Sequence, residues 1–149
     1  MNPGGIRADL LAGPATIGEL FTIQPFSNSL VRMDLTDQQI YDLLNQQWVN
    51  QPFPHILKTS GLTYTWDNNR PIGDRIVEVR RNSGPIDRQA TFSVTVNSFI
   101  TAGGNNFTVL LQRQNQVGGP IDLDASITYI QALAQPFSVA IEGRIVRMN

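Results

Sequence analysis

The hydrophobic pattern changes its period at Thr36. Ahead of it, over 29–35, Leu30, Val31, Met33 and Leu35 alternate loosely with polar residues, which is the period of a strand. Beyond it, Ile40, Leu43, Leu44 and Trp48 recur at helical intervals on one face. Thr36 followed three residues later by Gln39 has the spacing of a capping box, so a strand is predicted to feed directly into a helix. Pro52 and Pro54 each remove a backbone donor, which stops that helix in a loop.

The segments 56–66 and 75–81 are rich in residues that suit strands, and 67–74 between them is dense in turn formers; the two are predicted to pair antiparallel. Further strands are predicted over 91–96, 107–111 and 139–146, and a helix over 124–134 with Ile127, Ile130 and Leu133 on one face. Strands and helices intersperse without a regular repeat of parallel units. The predicted fold is therefore α+β, a mixed β-sheet with packed helices in a single compact domain. A chain of 149 residues, 41% of them hydrophobic, is the right size to fill one such core.

Composition narrows the chemistry. Eleven Lys and Arg against 12 Asp and Glu give a net charge of −1, no basic field for gripping a phosphate polymer, so no nucleic-acid polymer is expected as a partner. The absence of Cys excludes disulfides and thiol nucleophiles. The single histidine, His55, cannot supply the converging ligands of a hydrolytic metal site and has no recognisable nucleophile elbow to serve; it reads as a loop residue making local hydrogen bonds. No apolar run is long enough to span a membrane, and Met1 is followed by Asn-Pro-Gly-Gly rather than by a basic and then apolar leader. Asn and Gln, 12 of each, outnumber the charged side chains, which favours hydrogen bonding over long-range steering.

Candidate sites lie where glycine, an aromatic ring and amides occur together. In Asn2-Pro-Gly-Gly-Ile-Arg7 the consecutive glycines permit close backbone approach and let Arg7 project its five donors from a tight bend; the alternative is an ordinary glycine turn. In the run from Asn97 to Phe107, Phe99 is expected at a strand end beside the flexible Gly103-Gly104-Asn105-Asn106 loop, which could equally be a plain hairpin connection. Gln24-Pro25-Phe26-Ser27-Asn28 fixes the chain just ahead of a ring. Taken alone, Phe26 fits a core position, but two rings from separate loops could instead clamp a flat heteroaromatic ligand, with stacking worth about 1–3 kcal/mol per base.

Read in order, Asn-Pro-Gly-Gly-Ile-Arg, Gln-Pro-Phe-Ser-Asn, Thr-Ser-Gly-Leu-Thr-Tyr and Asn-Ser-Phe-Ile-Thr-Ala-Gly-Gly resemble the C-terminal domain of the 5'-nucleotidase family, essentially from end to end. The resemblance implies a substrate-recognition domain of a nucleotide phosphohydrolase. Its ligand would be a nucleoside or nucleotide, and its partner an N-terminal metallophosphoesterase domain of the same chain that holds two divalent metal ions and hydrolyses the phosphate ester. It also implies that the family domain begins some tens of residues earlier, that 1–149 alone holds no cofactor and is inactive, and that the protein works outside the cytoplasm, secreted, periplasmic or at the cell surface. Carried over by motif, Phe26 and Phe99 would sandwich the base, Asn28 would be the substrate-binding asparagine of the Pro-Phe motif, and Asn2 and Arg7 would bond base and ribose or lie near the phosphate. The ribose loop would be Gly103, Gly104 and Asn105; bracing of the glycine turn is the other role open to Asn2 and Arg7. The family's Gly-Gly-Asp-Gly is here Gly103-Gly104-Asn105-Asn106. A neutral amide in place of the carboxylate implies weaker nucleoside affinity, or tolerance of a ligand lacking the vicinal diol, and Asn106 in place of glycine implies a changed loop path. The competing expectation is a non-catalytic binding or structural module that has lost ribose recognition.

Overall fold

The computed structural model describes residues 1–82, 84–86 and 90–149. Strand β1 (Ser29–Thr36) runs straight into helix α2 (Asp37–Asn45), and the Thr36 hydroxyl accepts the Gln39 N–H while the Gln39 side chain accepts the Thr36 N–H. The junction thus forms the reciprocal cap read from the sequence. A second, unpredicted capping box of the same kind, Thr16 with Glu19, starts the short helix α1 (Ile17–Ile23).

The remaining strands are β2 (Thr63–Trp66), β3 (Ile76–Arg81), β4 (Gly84–Pro85), β5 (Thr91–Asn97), β6 (Gln114–Ile121) and β7 (Ile145–Arg147); helices α3 (Ser98–Thr101) and α4 (Asp122–Ala132) complete the set. They form two sheets. One is antiparallel, in the order β5-β1-β6; the other is mixed, in the order β4-β3-β2-β7, with β2 and β7 parallel. The class is α+β, as the interspersed pattern implied.

Both sheets share one core because α2 lies between them. Its Ile40, Tyr41, Leu43 and Leu44 pack with Val31, Met33 and Leu35, the alternate residues of β1, and with Ile76 and Val79 of β3. The helix also bonds to the second sheet directly: the Ile76 N–H donates to Asn45 Oδ1 at 3.1 Å and the Val79 N–H to Tyr41 Oη at 3.2 Å. Just past α2, the fully buried Gln47 accepts from the Leu57 N–H at 2.6 Å and the Tyr64 hydroxyl at 2.9 Å, and donates to the Leu44 carbonyl at 2.6 Å. Burial of Tyr64 pushes its hydroxyl far above the ordinary tyrosine range, which keeps it a donor.

Three predicted strands need correction. Residues 107–111 do not form one; Thr108–Gln112 is a 3-10 helix whose Val109 and Leu110 enter the core. A short apolar run has no period of its own that separates strand from helix, and here Gln46 bonds the Thr108 hydroxyl and the Val109 N–H. Of 139–146 only the end is strand, as Ile145–Arg147, because Val139 and Ile141 are exposed and meet no partner strand. Of 56–66 only Thr63–Trp66 pairs; Leu57 is held by Gln47 instead. Strand β6, absent from the predicted elements, is exposed or half-buried on both faces and so has no alternation in its sequence.

Replacing Gln47 by Ala leaves the buried Leu57 N–H without its acceptor and opens a polar-lined void. A loss of about 2–4 kcal/mol is expected, visible as a lower urea midpoint with an unchanged m-value.

Candidate functional site

The pairing of β1 with β5 sets the geometry of the site. Leu30 lies opposite Asn97, so the start of β1 and the end of β5 share one edge of the sheet. Phe26 lies three residues before β1, and Phe99 two residues after β5, so both rings are carried past that same edge. The joint is closed by Ser98: its hydroxyl oxygen accepts the Ser29 N–H at 3.2 Å and its proton points to Asn28 Oδ1 at 3.4 Å. Asn28 is held further by its carbonyl, which accepts the Asp122 N–H at 2.8 Å and so brings in the start of α4. Phe26 is 44% exposed and Phe99 47%, so neither ring belongs to the core.

The N-terminal glycine turn packs onto the same edge. The Asn2 carbonyl accepts the Gly5 N–H at 3.1 Å, and Asn2 Oδ1 accepts from Asn97 Nδ2 at 3.1 Å, leaving Asn2 only 3% exposed. The Asn97 side-chain oxygen in turn caps α3 by accepting the Ile100 N–H. Asn2 therefore ties the glycine turn to the helix that carries Phe99. Arg7 is tied by its backbone, whose N–H donates to the Ile23 carbonyl at 2.9 Å, and its guanidinium lies over the Phe26 ring, 5.0 Å from the centroid. This covers one face of that ring.

The loop after α3 packs against the second ring. Gly103 has φ +86°, a left-handed turn that glycine makes without penalty. Gly104 approaches Phe99 so closely that a Cβ there would stand 2.6 Å from the Phe99 carbonyl oxygen and 2.7 Å from its ring. Asn105 and Asn106 both take left-handed backbone, φ +54° and +56°, which asparagine tolerates better than most residues. The loop therefore still turns at the positions where Asn replaces the motif's Asp and Gly. Its outer side meets the segment after α2. Gln51 Nε2 donates to the Asn105 carbonyl at 2.6 Å, and Asn106 Nδ2 to the Asn50 carbonyl at 2.9 Å.

All eight residues singled out from sequence thus gather around one sheet edge, with Asn2 buried as a brace and Arg7, Phe26 and Phe99 exposed. Asn97 opens the Asn-Ser-Phe motif but is not among the site residues singled out from sequence, and Gln51 and Asn50 lie outside the motifs. Asn97 was legible as a candidate cap at the end of a β-forming run; Gln51 and Asn50 carried no signal, because their partners lie more than fifty positions away. Among the described residues no three His, Asp or Glu side chains stand together as a metal site. Among those residues, too, no helix is long and apolar enough to cross a membrane.

The α+β domain thus carries half-exposed Phe26 and Phe99 past the same end of the β1–β5 pair, the first under Arg7 and the second against the glycine loop. The chain belongs to the family of the 5'-nucleotidase C-terminal domain, whose profile matches residues 1–112. It is 36% identical to the endonuclease YhcR of Bacillus subtilis and 33% identical to that organism's trifunctional nucleotide phosphoesterase YfkN, in each case over 97% of this chain. It spans only 12% and 10% of those two proteins. Among solved structures, a 5'-nucleotidase precursor from Thermus thermophilus superimposes with a TM-score of 0.90 at 39% identity, covering 99% of this chain and 31% of that one.

Adding a methyl group at Gly104 forces either the Phe99 ring or the loop to move. Gly104→Ala is expected to destabilise the chain by about 1–3 kcal/mol and to shift the Phe99 ring proton resonances, both read on the purified 149-residue chain.

Proposed function

We propose that this chain is the substrate-recognition domain of a nucleotide phosphohydrolase that works outside the cytoplasm. It stacks the base of a nucleoside or nucleotide between Phe26 and Phe99, while a separate metallophosphoesterase domain of the same polypeptide, holding two divalent metal ions, hydrolyses the phosphate ester. The observation that carries this reading is the placement of two half-exposed rings past the same end of the β1–β5 pair, beside a glycine loop. Phe26 is 44% exposed with Arg7 over its ring, so part of its surface is available to a base. The same guanidinium is a permanent cation whose remaining donors suit ribose or phosphate oxygens. Asn28, anchored by Ser98 and Asp122, offers a carboxamide to the base edge. The 149-residue chain itself is inactive in this reading, since it contributes binding and orientation only.

Asn105 sets the preference on the ribose side. A carboxylate accepts from both ribose hydroxyls in bonds worth about 1.5–3 kcal/mol, against about 0.5–1.5 kcal/mol for neutral partners. Asn105 offers one acceptor oxygen and no charge, so the site binds ribonucleosides weakly and tolerates ligands without a free vicinal diol. The same substitution favours a second reading, a structural module that keeps the family core without nucleoside binding.

Titrating adenosine into the chain separates the two. Ring-current shifts around Phe26 and Phe99 are expected, and Phe99→Ala is expected to weaken binding by about tenfold, corresponding to roughly 1.4 kcal/mol of stacking. No shift at millimolar adenosine leaves the structural module. Asn105→Asp is expected to tighten adenosine by about fivefold and to leave 2',3'-dideoxyadenosine unchanged; equal effects on both would refute the diol argument.

A further inference from the structure

The loop that bears Gly103, Gly104 and Asn105 reverses its backbone through left-handed conformations at Gly103, Asn105 and Asn106. Such a loop keeps one shape only when its surroundings hold it. On its outer side the holding contacts come from the segment after α2. Gln51 is central among them. Its Nε2 donates to the Asn105 carbonyl at 2.6 Å and to the Gln46 carbonyl at 3.1 Å, while its Oε1 faces His55 Nδ1 at 2.7 Å.

The chemistry of the amide fixes this arrangement. A primary amide has two N–H donors at one end and an acceptor oxygen at the other. Two carbonyls already face the nitrogen, so turning the group over would set oxygen against oxygen twice. The oxygen must therefore meet His55, and His55 must carry its proton on Nδ1 and donate it. His55 is itself immobilised: it is 7% exposed, its N–H donates to the Gln47 carbonyl at 2.9 Å, and its ring lies against Phe53 with centroids 4.6 Å apart. Pro52 and Pro54 stiffen the chain on either side. A parallel pair of bonds, Gln46 Nε2 to Thr108 Oγ1 at 2.8 Å and the Val109 N–H to Gln46 Oε1 at 3.1 Å, pins the chain just beyond the loop.

We propose that Gln51, oriented by His55, is a positioning residue that sets where Asn105 stands relative to the Phe99 ring. Gln51 grips Asn105 by its carbonyl, so it acts on the position of the residue without occupying its side chain. Because Gly104 lies between Asn105 and the Phe99 ring, a movement of the Asn105 backbone changes the distance from the ribose-side group to the base-side ring. His55, the lone imidazole, thus acts through one hydrogen bond to an amide. The inference rests on the reading above that Asn105 meets ribose and Phe99 meets base.

The test uses Gln51→Glu in the 149-residue chain. The carboxylate keeps the size of Gln51 and an acceptor for His55, but it has no N–H for Asn105 and places a negative charge against its carbonyl. Gln51→Ala and His55→Phe are companions; the latter keeps a ring against Phe53 and removes the donor. Adenosine and free adenine are titrated into each, and the backbone amide resonances of Gly103–Asn106 are followed. For Gln51→Glu and Gln51→Ala the ratio of adenosine to adenine affinity is expected to fall by about fivefold, with the Gly103–Asn106 amides shifted; His55→Phe changes both in the same direction and less. Lower stability with an unchanged ratio makes Gln51 merely structural and overturns the proposal. If the unmodified chain binds neither ligand, the reading of the site fails separately, and the positioning role is decided by the resonances: unmoved Gly103–Asn106 amides in Gln51→Glu overturn it, moved ones uphold it.

Discussion

The register between β1 and β5 is the constraint on which the rest of the molecule depends. Val31, Met33 and Leu35 point into the core and their neighbours point out, so a slip of one residue would turn all three to solvent. Burial of these side chains therefore locks Leu30 opposite Asn97. Everything at the sheet edge inherits that lock. The chain enters β1 just after Phe26 and leaves β5 just before Phe99, so a packing preference deep in the core decides how two exposed rings stand at the surface.

Neutral polar side chains, most of them amides, then join the elements to one another. Asn97 links the N-terminal glycine turn to α3, Asn45 and Tyr41 attach α2 to β3, Gln47 joins α2 to Leu57 and Tyr64, and Gln46 and Gln51 fasten the loop after α3. A carboxamide can donate and accept at once and loses less on leaving water than a charge does. The pairs Arg70 with Asp74 and Arg80 with Glu78, by contrast, lie at the surface. The geometry of the edge is insensitive to salt, since neutral bonds at 2.6–3.1 Å are not screened as surface charges are.

The local signals in the sequence were strong where one residue and its near neighbours settle the conformation. The capping box at Thr36, the helical face of Ile40, Leu43 and Leu44, and the turn between β2 and β3 all appear as read. So do the motif residues that flank the sheet edge, because glycine, proline and aromatic residues mark themselves. His55 is the loop residue with a local hydrogen bond that its surroundings implied, its partner Gln51 lying four positions away.

What could not be read was everything whose partner is remote. Residues 107–111 carry the composition of a strand but coil as a 3-10 helix, because Gln46 supplies an acceptor and a donor to the first turn. Strand β6 has no inward face and exists because β1 offers it backbone partners. Phe26 has the apolar surface of a core residue and stands exposed under Arg7. The α+β class and the strand-to-helix junction were legible in the chain because they follow from periods and caps within a few positions, and the residues around the edge were legible from their glycine, aromatic and amide motifs and the family resemblance these carry. The tertiary structure alone decided which amides hold them in place and which rings remain open to solvent, because hydrogen bonds between residues fifty to ninety-five positions apart leave no trace in local pattern.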